Sequence, residues 1–112
     1  MSNVAGYILK GKKILEGDYQ EIRKTYQTDK PVTRTENQTR YLIGGASLYI
    51  ERIIAESNDK DVDEDLYWAI IYLFMVIDEK EYNLDLDRFE KDTNCIGKLA
   101  HKYRPEICLE KA

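Results

Sequence analysis

The sequence predicts an all-α protein, a compact bundle of four or five helices around a fully apolar central helix. Three observations predict this class. Residues 66–77 form a run without charge, Gly or Pro. Apolar residues recur at helical spacing on both sides of that run. The chain also holds only 6 Gly and 2 Pro in 112 residues, so it has few of the turn-forming residues that many short strands would need.

The central helix is expected over about residues 63–79. Asp61 and Glu64 have the spacing of a capping box, with Asp in place of Ser or Thr. The acidic first turn suits the positive end of a helix dipole. Twelve apolar residues rise about 18 Å as a helix, too little for a bilayer core of roughly 30 Å. A helix that is apolar on every side is expected to be buried on every side.

Two shorter helices are expected before it. Val4, Ile8 and Leu15 share one helical stripe, and Gly17 is the expected stop of that first helix. Asp18 with Glu21 then predicts a second start, and that helix should end before Pro31.

A long helix and a last helix complete the bundle. The long helix is expected to begin at a capping box formed by Thr33 and Glu36 and to end near Glu56. Its apolar face holds Leu42, Ala46, Tyr49, Ile50 and Ile53. The last helix is expected to be capped by Asp87 with Glu90 and to run towards Pro105, with an apolar face of Phe89, Ile96, Leu99, Ala100 and Tyr103.

The pair Gly44-Gly45 inside the long helix costs roughly 1–2 kcal/mol of helix stability and needs a reason. One reason is a close approach by the central helix. The other is a helix break whose exposed amides meet an anion. Close packing is favoured because no phosphate-loop pattern surrounds the pair.

Length indicates a single domain over residues 1–112, with residues 106–112 short enough to form a disordered tail. Cys95 and Cys108 are the only cysteines, fewer than small secreted domains usually carry. The first residues lack the pattern of a signal peptide. We therefore expect a cytoplasmic protein with reduced thiols.

The net charge of −4 is unevenly distributed along the chain. Residues 1–42 carry eight basic and five acidic groups, residues 43–92 five and fourteen, and the last twenty residues four and two. The middle of the chain is therefore strongly acidic, and both ends are basic.

No pattern predicts catalysis, a metal site or a cofactor. The acids of residues 59–65 resemble the start of an EF-hand loop, but Glu64 and Ile70 stand where that loop needs Gly and Glu. The spacing of Cys95, His101 and Cys108 does not match zinc sites. We therefore predict a protein that is not an enzyme.

The acidic cluster predicts a basic protein partner. Its residues are Asp59, Asp61, Asp63, Glu64 and Asp65, with Tyr67 beside them. Like charge at this density favours association with a cation, and tyrosine is common at interfaces. The composition resembles that of small immunity proteins, antitoxins and phage-encoded inhibitors of nucleases. The resemblance implies a binding module of viral or mobile-element type that docks a nuclease-like partner. An acidic surface that only maintains solubility is the competing interpretation.

Nucleic-acid or nucleotide binding is the alternative. The basic N-terminal third could supply a cationic surface with interleaved tyrosines, which suits single strands. Its residues are Lys10, Lys12, Lys13, Arg23, Lys24, Arg34 and Arg40. A homo-oligomer is also consistent with the sequence, because a second chain could cover the apolar central helix.

Overall fold

The computed structural model describes residues 16–56 and 62–93. Within these ranges the chain forms four helices and no strands: α1 over residues 16–25, α2 Glu36–Glu56, α3 Val62–Tyr82 and α4 Leu86–Asp92. An antiparallel bridge joins Gln27 to Leu84. The prediction of an all-α bundle is confirmed. The predicted first helix up to Leu15, the last helix beyond Thr93 and the tail 106–112 lie outside the described residues.

Helix α3 forms the centre of the core, and it is longer than the predicted helix at both ends. Ile71, Met75 and Val76 in its middle are completely buried. The expectation that it is buried on every side is wrong near its C-terminal end. There Ile77 is 51% exposed, whereas Glu79, beyond the apolar run, is only 2% exposed. At 100° per residue the two side chains point to nearly opposite faces, and Glu79 continues the face of the buried Met75 and Val76.

Helix α2 packs along α3 through the face that its periodicity predicts. Leu42, Ala46, Tyr49 and Ile50 are buried, and Ile53 is half-buried against the same core. The helix ends at Glu56, as expected.

The start of α2 differs from the prediction. The capping box is formed by Thr35 and Gln38 instead of Thr33 and Glu36. The Gln38 amide N–H donates to Thr35 Oγ1 over 3.1 Å, and the Thr35 N–H donates to Gln38 Oε1 over 2.9 Å. These reciprocal bonds satisfy two of the free donors at the helix start.

Gly44 has neither of the roles that the sequence suggested for it. The helix runs through the glycine pair without a break. Gly44 is exposed, and a β-carbon added there would meet no atom within 4 Å. Close packing therefore does not explain this glycine.

We expect Gly44→Ala to raise the free energy of unfolding by about 0.5–1 kcal/mol, because alanine loses less backbone entropy than glycine in a helix. Urea denaturation of both proteins measures the change. The buried Ala46→Gly is the matched control and should lower stability. Destabilisation by Gly44→Ala would show that another group does approach this face of α2.

Helix α1 is held against α3 by Tyr19. Its hydroxyl donates to Asp78 Oδ2 over 2.6 Å and also lies 3.1 Å from the Phe74 carbonyl oxygen. The Tyr19 ring meets the Phe74 ring edge-on at 5.4 Å. Gly17 lies inside the helical residues 16–25, so its predicted role as a helix stop is wrong.

The turn between α3 and α4 is a tight corner tied to the segment after α1. Asn83 has φ 52°, a left-handed conformation that Asn tolerates better than most residues. The Thr28 N–H donates to the Asn83 carbonyl over 2.9 Å, and the Asp85 N–H donates to the Tyr26 carbonyl over 2.7 Å. These long-range backbone bonds fix the corner in place.

Helix α4 is shorter than predicted and starts earlier. Asp85, not Asp87, is the N-cap, and its side chain accepts the Arg88 N–H over 3.0 Å. The helix ends at Asp92 with Thr93 as C-cap. Because seven residues are too few for a helix to be stable alone, α4 depends on its buried Leu86 and Phe89.

Candidate binding surfaces

The first candidate surface is the acidic end of α3. Asp63, Glu64 and Asp65 lie in the first turn of this helix, where the helix dipole stabilises negative charge. Asp59 and Asp61, which belong to the same predicted cluster, lie outside the described residues. Among the predicted partner-binding residues, Tyr67 is the one whose side chain the structure describes.

Tyr67 joins this end of α3 to α1. Its hydroxyl donates to Asp18 Oδ2 over 3.2 Å, and its ring meets Trp68 edge-on at 5.2 Å. Burial raises the pKa of Tyr67, and the hydrogen bond to Asp18 adds to the effect. Asp18 and its neighbours Glu16 and Glu21 are exposed.

Asp18 is therefore an acidic neighbour of Tyr67 that no sequence pattern indicates. It lies 49 residues before Tyr67 along the chain, and its sequence context predicts only a helix cap. No local signal indicated that α1 would lie beside the start of α3. We use the name "acidic end" below for Asp18, Asp63, Glu64, Asp65 and Tyr67.

The predicted basic surface is partly used inside the molecule. The Arg23 guanidinium lies 3.9 Å from the centre of the Tyr82 ring, and Arg34 is held by two carboxylates. Lys24 and Arg40 are exposed. Lys10, Lys12 and Lys13 lie outside the described residues. Among the four predicted cations that the structure describes, two are therefore exposed to solvent.

Arg34 bridges α3 and α4. Its Nε donates to Glu79 Oε2 over 2.9 Å, and its Nη2 donates to Asp87 Oδ1 over 2.7 Å. The Glu79 side chain is 3% exposed and that of Asp87 is 76% exposed. Burial raises the pKa of Glu79, although the Arg34 guanidinium opposes this effect.

A pocket of about 360 Å³ opens beside this ion pair. Its walls are the loop before α2, the end of α3 and the corner leading into α4. The lining residues are Thr28, Lys30, Pro31, Val32, Thr33, Arg34, Gln38, Glu79, Leu84, Asp85, Leu86 and Asp87. No sequence pattern indicates this pocket, because its charged residues come from three separate segments.

Within the described ranges, no group of three or more His, Cys, Asp or Glu side chains is arranged to hold a metal ion. The candidate ligands Cys95, His101 and Cys108 lie outside those ranges. The helices of the described part are also not long and apolar enough to cross a membrane.

Comparison of the chain with protein-family models, with curated proteins and with solved structures finds no match.

Proposed function

We propose that this protein is a non-enzymatic binding module that docks a basic protein through the acidic end of α3. A nuclease-like partner, inhibited or neutralised by the complex, is the partner class that this chemistry suits best. In this proposal the protein acts in the cytoplasm, as an immunity, antitoxin or phage-type inhibitor would.

The observation that supports the proposal is the hydrogen bond from Tyr67 to Asp18. It joins a carboxylate of α1 to Tyr67, which follows the acidic first turn of α3 in the chain. In this proposal the acids of the two segments act together as one docking surface. Gathering like charge in this way costs folding free energy through repulsion. A cationic partner would offset that cost when it binds.

The charge balance of the described residues agrees with this proposal. They include seventeen acidic and nine basic residues, and Arg34 and Arg88 are among the basic residues that form ion pairs within the molecule. An excess of this sign attracts a basic surface over long range and speeds encounter. The half-buried aromatic rings of Tyr67 and Trp68 would then supply apolar contact area next to the charges.

The test is capture of a basic partner by the wild-type protein and by a triple variant, Asp61→Asn, Asp63→Asn and Asp65→Asn. We expect the variant to retain at least tenfold less of that partner, because three charges of the predicted acidic cluster are removed, two of them from the acidic end. The amount captured is measured by quantitative mass spectrometry.

The matched control removes the same charge from exposed positions elsewhere, with Asp29→Asn, Glu36→Gln and Glu81→Gln. It should retain the partner at nearly the wild-type level. Equal loss in both variants would show that net charge alone, and not the acidic end, governs capture. Unchanged capture by the first variant would refute the acidic end as the docking surface.

Nucleic-acid binding stays the second candidate, resting on the basic N-terminal third. Combining Lys10→Ala, Lys12→Ala and Lys13→Ala should then reduce affinity for a single-stranded oligonucleotide, measured by fluorescence anisotropy. An unchanged affinity would remove this alternative. The engagement of Arg23 and Arg34 inside the molecule already makes it the weaker of the two.

A further inference from the structure

The pocket beside Arg34 is built on a fixed frame. Backbone hydrogen bonds link Thr28 to Asn83 and Asp85 to Tyr26, and the bridge between Gln27 and Leu84 lies between them. The walls of the pocket are therefore held together before any ligand arrives. Pre-formed walls are typical of sites that bind small groups.

One wall of this pocket carries an acceptor that the protein leaves unused. Glu79 Oε2 receives the Arg34 Nε–H, but Glu79 Oε1 is buried and has no hydrogen-bond partner among the described residues. A buried carboxylate oxygen without a donor lowers the stability of the folded protein. Rotation about the terminal torsion of Glu side chains is soft, so a small turn of the carboxylate can present Oε1 to a group in the pocket.

The charges of the lining indicate the sign of that group. Three carboxylates line the pocket, those of Glu79, Asp85 and Asp87, against the two cations Lys30 and Arg34. Arg34 already donates to two of the carboxylates. Asp85 accepts the Arg88 N–H, and the lining as a whole carries one net negative charge. This balance favours a positively charged hydrogen-bond donor over an anion.

We propose that this pocket binds the guanidinium group of an arginine side chain on a protein partner. Arg34 itself shows that a planar guanidinium can bridge Glu79 and Asp87. A guanidinium is also more weakly hydrated than an ammonium, so it enters a half-closed site at lower desolvation cost. This site is distinct from the acidic end of α3 and does not depend on that surface being the docking face.

The test titrates the protein with N-acetyl-arginine amide at physiological ionic strength and follows backbone amide signals by NMR. We expect saturable shifts confined to residues 28–38, Glu79 and its neighbours in α3, and residues 83–87. Glu79→Gln should weaken binding at least tenfold, because the amide removes the negative charge and turns one acceptor into a donor. Glu81→Gln, an exposed charge on the same helix, should leave binding within twofold of wild type.

Two further probes make the outcome decisive. N-acetyl-citrulline amide has nearly the same shape without the charge and should bind at least tenfold more weakly, and N-acetyl-lysine amide should bind at least threefold more weakly. The proposal is overturned if the arginine probe gives no saturable shift, or if either comparison probe binds equally well. It is also overturned if inorganic phosphate shifts these residues and arginine does not. None of these results bears on capture through the acidic end, which the triple Asn variant tests separately.

Discussion

Replacing Phe89 by alanine is expected to lower the free energy of unfolding by about 3–5 kcal/mol, the usual range for a buried Phe. Phe89 is completely buried, and its ring meets the Tyr26 ring edge-on at 5.2 Å and 88°. It is one of two buried side chains that hold the seven-residue α4 in place. A domain of this size is usually stable by only 5–15 kcal/mol, so the loss should be plain in urea denaturation.

Ile77→Ala is the matched control for the Phe89 prediction. It also removes apolar atoms from a helix, but Ile77 is 51% exposed, so its cost should stay below about 1 kcal/mol. Because α4 carries part of the pocket wall, Phe89→Ala should also disturb the NMR signals of residues 83–87. A cost below about 1 kcal/mol for Phe89→Ala would contradict the described packing of α4.

Replacing Arg34 by alanine is expected to cost about 2–4 kcal/mol at neutral pH. The substitution leaves the buried Glu79 carboxylate without its cation, and breaking one side of a buried ion pair typically costs 3–5 kcal/mol. We expect a lower value because the Arg34 side chain is 26% exposed. The exposed partner carboxylate contributes little, so Asp87→Asn should change stability by less than about 1 kcal/mol.

The pH dependence of the Arg34→Ala cost identifies Glu79 as its cause. In the folded protein the pKa of Glu79 is already raised by burial, and loss of the guanidinium raises it further. The folded variant is therefore most stable below the unfolded-state pKa of Glu79, where this side chain is neutral. It loses stability as the pH rises through the folded-state pKa, because the buried carboxylate becomes charged. The cost of Arg34→Ala should consequently shrink as the pH falls towards about 4, near the ordinary pKa of Glu.

A double variant provides the control for this prediction. In the Glu79→Gln background, where no charge is buried, Arg34→Ala should cost less than about 1 kcal/mol at every pH. Urea denaturation of the four proteins at several pH values gives the coupling between the two side chains. A cost that is independent of both pH and the residue at position 79 would contradict the role assigned to this ion pair.

The central helix could be predicted from sequence because its signal is local and strong. The uncharged run 66–77 and the acids on both sides of it left few alternatives for this segment. The face of α2 was predicted for the same reason. The exposure of Ile77 and the burial of Glu79 could not be predicted, because the sequence does not show which side of α3 the other helices cover.

The helix starts show where local patterns compete. Thr33 with Glu36 and Thr35 with Gln38 both fit the capping-box spacing. The second box forms, and the intervening Arg34 is held by Glu79, 45 residues further along the chain. In the same way Asp85 rather than Asp87 caps α4, while Asp87 contacts Arg34. At both helix starts two residues have the sequence spacing of a cap, and the ion pair of Arg34 involves a residue that does not become the cap or lies beside it.

In the candidate sites, too, the features that are local in sequence could be predicted and those that depend on long-range contacts could not. The acids of residues 63–65 could be identified from sequence, because they are consecutive. Asp18 could not be assigned to them, since only the packing of α1 on α3 brings it to Tyr67. The pocket at Glu79 depends on contacts between residues about fifty positions apart, and no periodicity encodes such contacts.

The most direct test of the proposed docking is the association rate of the captured partner at several salt concentrations, measured by stopped-flow fluorescence. The account predicts a rate that falls steeply with added salt, and a variant with Asp61→Asn, Asp63→Asn and Asp65→Asn that binds about tenfold more slowly at low salt with a flatter dependence. An association rate unaffected by salt, or equal in the two proteins, would contradict it.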